Sequence, residues 1–490
     1  MFSAAYGTSG VHGCVSVATR ALAHGAMRLG VALSLVAAPL HAGAQARRDS
    51  LSHVRQMPAD SAGRTTLPNK TASGDDVLDG LVATALERSP ALRAANDRVT
   101  AARARIRPAG SREDPMLMAG VLNMPITQPG FSDFMTMAMV GVSQTIPYPG
   151  KLGLRTRAAA LDADAVRIGL DAARLGVVRA VKDAYYELAY LDHALEIAER
   201  NRAVLADVVR VTEAQYGTGK GAQQDVLKAR VEAARLAETA SMLSEARRAT
   251  LAQLNVALDR LSETPVERTE IPSRVARAAV ATDAASVRFA AQTLGARVAG
   301  SPLPSLAALQ EMAVEHSPVL REQEARVAAQ TARVALARKE YKPDVNVSVQ
   351  YGYRPNFPDM ATLQLSIPLR LQQSAKQDEM LAESSAELSA LEAERRANEN
   401  VVRARVATLA SDLERDRTQL ALYMKAILPQ SRAAVTSALA SYQSGRADLL
   451  TLLDHQNTVF SYETAYYRAL SDFAKELAEL DEVVGTEVLP

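Results

Sequence analysis

The order of segments in this chain is written twice, and that duplication constrains the fold more than any single motif. Ala-Leu-Glu-Arg-Ser-Pro-Ala-Leu at Ala85 to Leu92 returns as Ala-Val-Glu-His-Ser-Pro-Val-Leu at Ala313 to Leu320. Ile146-Pro147 returns as Ile367-Pro368, and Tyr216-x-x-Gly219 as Tyr442-x-x-Gly445, at offsets of 228, 221 and 226 residues. So long a period excludes a solenoid of short repeats and predicts two copies of one structural unit.

Within each copy the hydrophobic period changes along the chain. Ser89 and Ser317 are each followed by Pro, a pairing that suits a helix start, where the hydroxyl accepts a free backbone N–H and Pro needs no donor. Each half is therefore expected to open with a short helix, a corner and a second helix ending near Arg107 or Glu340. The period then becomes two. Asp344 to Tyr353 places every apolar side chain on one face, and Thr362 to Ile367 alternates again through Leu363, Leu365 and Ile367. A loop with Pro355, Asn356 and Pro358 joins them into a strand hairpin. The first half has a weaker counterpart near Pro115 to Asn123 and Met135 to Ile146, around Pro129 and Gly130. Strands of about ten residues cross a bilayer when tilted. Half-buried strands of a water-soluble hairpin look the same, so alternation alone leaves both readings open.

The long helical stretches beyond the hairpins favour the membrane. From about Arg155 to Tyr216 there is neither Pro nor a turn cluster, which predicts a helix of roughly 90 Å. From about Gln372 to Tyr442 the second half repeats this, with a seam at Val402, Val406, Leu409, Leu413, Leu420, Tyr423 and Ile427, and Asp416 off pattern. Steps of three and four define a coiled-coil seam, which Pro429 is expected to kink. The chain then turns back at Gly217 to Gly221 and at Ser444-Gly445-Arg446 into helices near Gln223 to Leu258 and Asp448 to Leu480. Four strands cannot close a barrel, because the smallest membrane barrels have about eight and an open edge in lipid leaves backbone groups unpaired. If the hairpins lie in a membrane, the chain must oligomerise.

Composition supports export and excludes several chemistries. Arg28 precedes the apolar run Leu29 to Leu40, and Ala42-Gly43-Ala44 and Ala44-Gln45-Ala46 fit signal-peptidase cleavage, so residues 1–46 read as a signal peptide. Met27 would start a more compact one. About twelve apolar residues fall short of the roughly 20 of a membrane-spanning helix. Residues 47–76 read as a flexible polar lead-in, 77–260 and 305–490 as the two repeats, and 261–304, with four prolines, as an irregular connector at the waist. The chain has 56 basic and 55 acidic side chains, so no nucleic-acid partner is implied. The single cysteine, Cys14, falls in the signal segment, leaving no disulfide or thiolate site in the mature chain. His193, His316 and His455 are scattered with no second ligand at helical spacing, and Gly217 to Gly221 lacks the strand a phosphate loop needs. No catalytic residue, resident metal or cofactor is expected.

A twice-repeated helix, strand hairpin and very long helical hairpin resembles the TolC family of outer-membrane efflux proteins. The resemblance is carried by Gln144-Thr145-Ile146-Pro147 before Pro149-Gly150-Lys151, by Tyr216-Gly-Thr-Gly with Asp225-Val226-Leu227, and by Tyr442-Gln-Ser-Gly with Leu449 to Asp454. It implies a membrane α+β fold: a homotrimer with a 12-stranded outer-membrane β-barrel, four strands from each protomer, above a periplasmic α-helical coiled-coil barrel. It implies a passive efflux channel in outer-membrane lipid, partnered by a periplasmic adaptor and an inner-membrane RND pump. Asp114 to Met118 and Pro147 to Arg155 are most similar to the heavy-metal members of CzcC and CusC type. Several of those carry a lipid-modified N-terminal cysteine, and Cys14 lacks the apolar run that would precede one.

By the same resemblance, Lys220, Asp225, Arg446 and Asp448 are candidates for a periplasmic gate. Tyr216, Gly219, Tyr442 and Gly445 are candidates for turns that dock the adaptor. Arg446 is shifted by one from the usual basic position, where Ala447 stands. The plainer reading makes these solvated turn residues, with charge pairs worth about 0–1 kcal/mol. Six of the fourteen methionines fall between Met116 and Met139, and those of each strand share a face. A thioether is a soft ligand suited to Cu(I) or Ag(I), although flexible apolar packing is the commoner use. A channel for drugs or secreted proteins, or an exported coiled-coil scaffold without a pore, are the alternatives.

Overall fold

The structure, a computed structural model, describes residues 74–127, 129–280, 303–444 and 446–489. The expected signal segment 1–46, the lead-in to residue 73, residues 281–302 of the connector and Gly445 lie outside the described residues.

Each repeat opens with the expected corner. Helices α1 (Gly74–Arg88) and α2 (Pro90–Gly110) meet at Ser89, whose Oγ accepts from the Leu92 N–H at 3.4 Å. Helices later in the chain, Leu306–His316 and Pro318–Lys339, meet at Ser317, which is buried and makes no side-chain cap; Pro318 at the first helical position serves the corner alone.

Strands β1 (Met116–Leu122), β2 (Met137–Ile146), β3 (Val345–Tyr353) and β4 (Met360–Ser366) form one antiparallel sheet in the order β1-β2-β3-β4. The two hairpins, one from each repeat, therefore pair through β2 and β3, with Val142 opposite Val349. Directly opposed residues share a face. One cross-strand row reads Leu117, Val142, Val349, Leu363, and the row beside it on the other face reads Met116, Ser143, Ser348, Gln364. The exposure is inverted relative to a water-soluble sheet. Leu117 and Leu363 are each 75% exposed, while Ser143 and Ser348 are 4% and 5% exposed. Such an arrangement loses free energy in water and gains it in hydrocarbon, which selects the membrane reading of the alternation. At about 3.3 Å per residue β2 is roughly 33 Å long, and a tilt near 40° gives the apolar band of about 25 Å found in membrane barrels.

The sheet is bolted to the helices at one buried cation. After β2, Gly150 takes the left-handed conformation (φ 91°) and helix α3 (Lys151–Gly217) begins. Lys151 is fully buried, and its Nζ lies 2.8 Å from Glu340 and 2.9 Å from Asp344, both of the second repeat. The Asp344 carboxylate also accepts from the Tyr148 N–H at 2.8 Å. Removing one partner of such a group strands the remaining charges, so this node fixes how the two hairpins leave the stalk.

At 67 residues α3 is about 100 Å long. It turns back into α4 (Gln223–Ala257), and α5 (Ser273–Ala279) adds a short helix to a connector that the sequence reads as irregular. With the pair at the second corner counted as α6 and α7, α8 (Glu379–Leu422) and α9 (Leu428–Gln443) form the second rod, and α10 (Leu449–Val484) returns beside it. At Pro429 the sequence predicts a kink; the helix instead widens into a π-helical turn at Tyr423–Ile427 and resumes at Leu428. Proline has no N–H to donate, and the extra residue of a π turn lets the chain pass the ring while remaining helical.

The largest core lies at the waist, where α1, α5 and α6 pack against the rods. Tyr185, Leu254, Leu309, Leu409, Phe473 and Leu480 are all at most 1% exposed there. The predicted seam residues Val402, Val406, Leu409, Leu413 and Leu420 are buried as read. Asp416, which breaks the apolar pattern, is buried with them. One guanidinium holds it and two further acids: Arg415 contacts Asp416 at 2.9 Å, Asp412 at 2.5 Å and Glu476 of α10 at 3.1 Å. Burial, then the charge of Asp416, pushes the Glu476 carboxyl up to about 7, with Asp412 and Asp472 adding to the rise and Arg415 opposing it.

Glu476 thus binds its proton more tightly in the folded protein than in the unfolded chain. Its contribution to stability is full below the ordinary carboxylate range and is lost as pH rises to about 7. Glu476→Gln, which keeps an acceptor for Arg415 and cannot ionise, is expected to raise the thermal midpoint at about pH 8 and leave it nearly unchanged at about pH 5. Thermal melts of the two proteins at both pH values check this.

Candidate functional site

The free ends of the two helical hairpins hold the sequence-predicted gate and docking residues. In the first, α3 stops because Gly219 takes φ 71°, which a residue with a Cβ rarely adopts. The turn is closed by backbone bonds: the Lys220 and Gly221 N–H groups donate to the Gln215 carbonyl at 2.9 and 3.1 Å. α4 begins without a side-chain cap, and Asp225 stands in its first turn, where a carboxylate is favoured by the helix dipole. Arg230 of α4 pairs with Glu213 of α3 at 2.7 Å and holds the hairpin shut. In the second hairpin, the Arg446 N–H donates to the Ser441 carbonyl at 2.9 Å, and its side chain to Ser444 Oγ at 3.0 Å. Asp448 caps α10, accepting from the Thr451 N–H at 3.0 Å and from its hydroxyl at 2.5 Å. Those hydrogen bonds, with Lys228 nearby, hold the Asp448 carboxyl below its ordinary range.

The two ends are joined to each other. Leu205 and Val208 of α3, Ala229 of α4, and Tyr442, Leu449 and Leu452 of the second hairpin form one buried cluster. The Tyr442 hydroxyl donates to Gln215 Oε1 at 3.1 Å. Burial, and then the charge of Asp225, raise the Tyr442 pKa.

The structure therefore separates residues that the sequence groups together. Tyr442 faces inward and ties the hairpins, whereas Tyr216 is half exposed and Gly219 lies in open space. Lys220 and Arg446 are exposed, and among the described residues neither they nor Asp225 forms an ion pair within the protomer. Asp448 is occupied as a cap. Gln215 and Lys228 have no counterpart in the sequence reading; Gln215 accepts from Tyr442 of the other repeat and the charge of Lys228 acts on Asp448, and nothing in local spacing marks either. Among the described residues no three His, Cys, Asp or Glu side chains are arranged to hold a metal ion, and no helix is long and apolar enough to cross a membrane.

A lipid-facing sheet bolted to two stalk-like helical hairpins, with polar turns at the far end, defines the subunit of a membrane duct. The outer membrane efflux protein family matches residues 81–260 and 309–486, one range in each repeat, and the chain belongs to that family. The chain is a passive efflux channel component and not an enzyme. It is similar to the cobalt-zinc-cadmium resistance protein CzcC of Cupriavidus metallidurans, 22% identical over 343 residues that span 69% of this chain and 74% of CzcC. Among solved structures it is similar to the outer-membrane channel OprN, with TM-score 0.70 and 20% identity over 85% of this chain and 92% of that one. It is also similar to CusC, with TM-score 0.63 and 15% identity over 89% of this chain and 99% of CusC.

Tyr442→Phe removes one buried hydrogen bond and should destabilise the joined tips by about 1 kcal/mol. Hydrogen exchange should accelerate at the amides of Thr212 to Gly221 and leave the waist unchanged.

Proposed function

We propose that three copies of this chain form a closed 12-stranded barrel in the outer membrane, continued by a periplasmic tunnel of helices, which carries heavy-metal cations out of the cell. The observation that carries this reading is the inverted sheet. Its apolar face requires lipid, and β1 and β4 leave edges whose N–H and C=O groups require partners there. Sister copies supply such partners without new chemistry, because β4 of one protomer and β1 of the next are both short and exposed on both faces. Trimeric closure fits the family the chain belongs to. The name of CzcC supports metal cations as the cargo.

A passive duct leaves the energising of transport to its partners, and this channel's role is to extend the exit path of an inner-membrane RND pump through a periplasmic adaptor. The adaptor docks on the exposed turn at Tyr216 and Gly219, and on the segment that follows Tyr442, for which the sequence offers Gly445. The gate lies at the same end. Lys220, Asp225 and Arg446 carry charges that form no ion pair among the described residues of the protomer, and these are available to neighbouring hairpins in the closed trimer. Close approach at a constriction lowers the effective dielectric and strengthens such pairs. Asp448, already used as a cap, contributes by holding the turn in shape.

Asp225→Ala in planar lipid bilayers is expected to raise the closed-state conductance and leave the fully open conductance unchanged. An unaltered closed state would remove Asp225 from the gate.

A further inference from the structure

The sheet has a second asymmetry, in its sulfur. The strand methionines Met116, Met118, Met137, Met139 and Met360 all fall on the polar face, in register with Ser143, Gly141, Leu122, Gly352 and Gly120. The apolar face carries Leu, Val, Ala, Ile and Tyr, with Gln144 near its stalk end, and no methionine between Leu117 and Leu365. Flexible apolar filler would be expected on the lipid side, and here the thioethers are confined to the other.

Three of them lie around Gly352, which has no side chain of its own. The row Gly120, Met139, Gly352, Met360 crosses all four strands, so Met139 and Met360 flank Gly352 from either side. Neighbouring strands lie about 4.8 Å apart, which puts these two backbones roughly 10 Å apart, within reach of one another's flexible side chains. Met137, two residues from Met139 on the same face, leans across: its Sδ lies 2.6 Å from where a Cβ on Gly352 would be. The space that a side chain at residue 352 would fill is occupied by sulfur. β2 leads into α3 at its Ile146 end, so this methionine cluster sits at the opposite end of the strands, away from the stalk.

We propose that Met137, Met139 and Met360 form a binding site for a soft monovalent cation, Cu(I) or Ag(I), on the inner wall near the outer mouth of the duct. Thioethers select such ions over hard divalent ones. They are neutral at every physiological pH, so the site takes no proton when the ion leaves. A duct needs sites that attract an ion and release it readily, and uncharged ligands at the exit meet both conditions. The inference rests on the duct reading only for its account of which space the polar face borders; the three methionines belong to a single protomer.

The test is Ag(I) titration of the purified full-length channel in detergent and chloride-free buffer, with bound silver counted by mass spectrometry. Cys14, the chain's one cysteine, lies in the predicted signal segment, so no thiolate competes in the processed protein. The triple variant Met137→Leu/Met139→Leu/Met360→Leu, which nearly conserves volume, should lose about one bound Ag(I) per protomer. Met116→Leu/Met118→Leu should keep it. Gly352→Ala retains every methionine but pushes the end of the Met137 side chain aside, and it should lose the same equivalent with the fold intact. Single-channel conductance, recorded in parallel, should be unchanged in all variants. Equal silver uptake by the wild type and the triple variant overturns the proposal, whatever the conductance. A wild type that binds silver through these sulfurs and forms no pore keeps the site and removes the duct reading.

Discussion

Everything in this structure depends on a sheet that cannot exist alone. Four strands present valine, leucine and tyrosine outward and serine, glycine and glutamine inward, and both outer strands end in unpaired backbone groups. In water the outward face is unfavourable; in lipid the open edges are, at several kcal/mol for each unsatisfied group. Only a closed wall in a membrane satisfies both conditions, and closure requires other copies. The duplication makes this economical, because one hairpin from each repeat gives a sheet held together inside the protomer by the β2–β3 pairing.

The helices convert that requirement into a directed tube. Lys151 joins the start of the first rod to Glu340 and Asp344 of the second repeat, so both rods leave the sheet in a fixed relation. Farther down, α3 is bound to α10 through Arg179 with Glu479 and Glu482 at 2.9 and 2.8 Å, and through Arg468 with Glu187 at 2.8 Å. These contacts cross from one repeat to the other, as does the contact of Tyr442 with Gln215 at the tips. A protomer is therefore stiff along its length by pairings between repeats. The turns at the tips are exposed, and charges such as Lys220 and Arg446 form no ion pair there among the described residues.

Much of this was legible in the sequence. The absence of proline between Arg155 and Tyr216 marks a rod, because no compact fold accommodates so long a helix. The alternation at Val345 to Tyr353 marks a strand, and Gly219 marks a turn. Alternation does not say which side meets lipid. That emerged when register aligned Leu117, Val142, Val349 and Leu363 in a single row, and the same register placed the methionines, which the sequence left undecided between packing and metal binding. The first hairpin was harder to read, since Met, Gly and Ala blur the contrast between its faces. Asp448 illustrates a different limit. The pattern of Asp448 with Thr451 is that of a helix cap, whereas its candidacy for the gate comes from the family resemblance and is not written in local spacing. Asp416 looked like a break in the seam because a buried acid is intelligible only once Arg415 is seen beside it.

The most direct test is of the sheet's orientation. Single cysteines placed in turn from Ala361 to Ser366 in a Cys14-free protein, reconstituted in vesicles, can be probed with a charged, water-soluble maleimide. The Thr362, Gln364 and Ser366 positions are expected to react from the aqueous lumen, while the Ala361, Leu363 and Leu365 positions are shielded by lipid. Uniform labelling of all six, or the opposite alternation, would contradict that orientation.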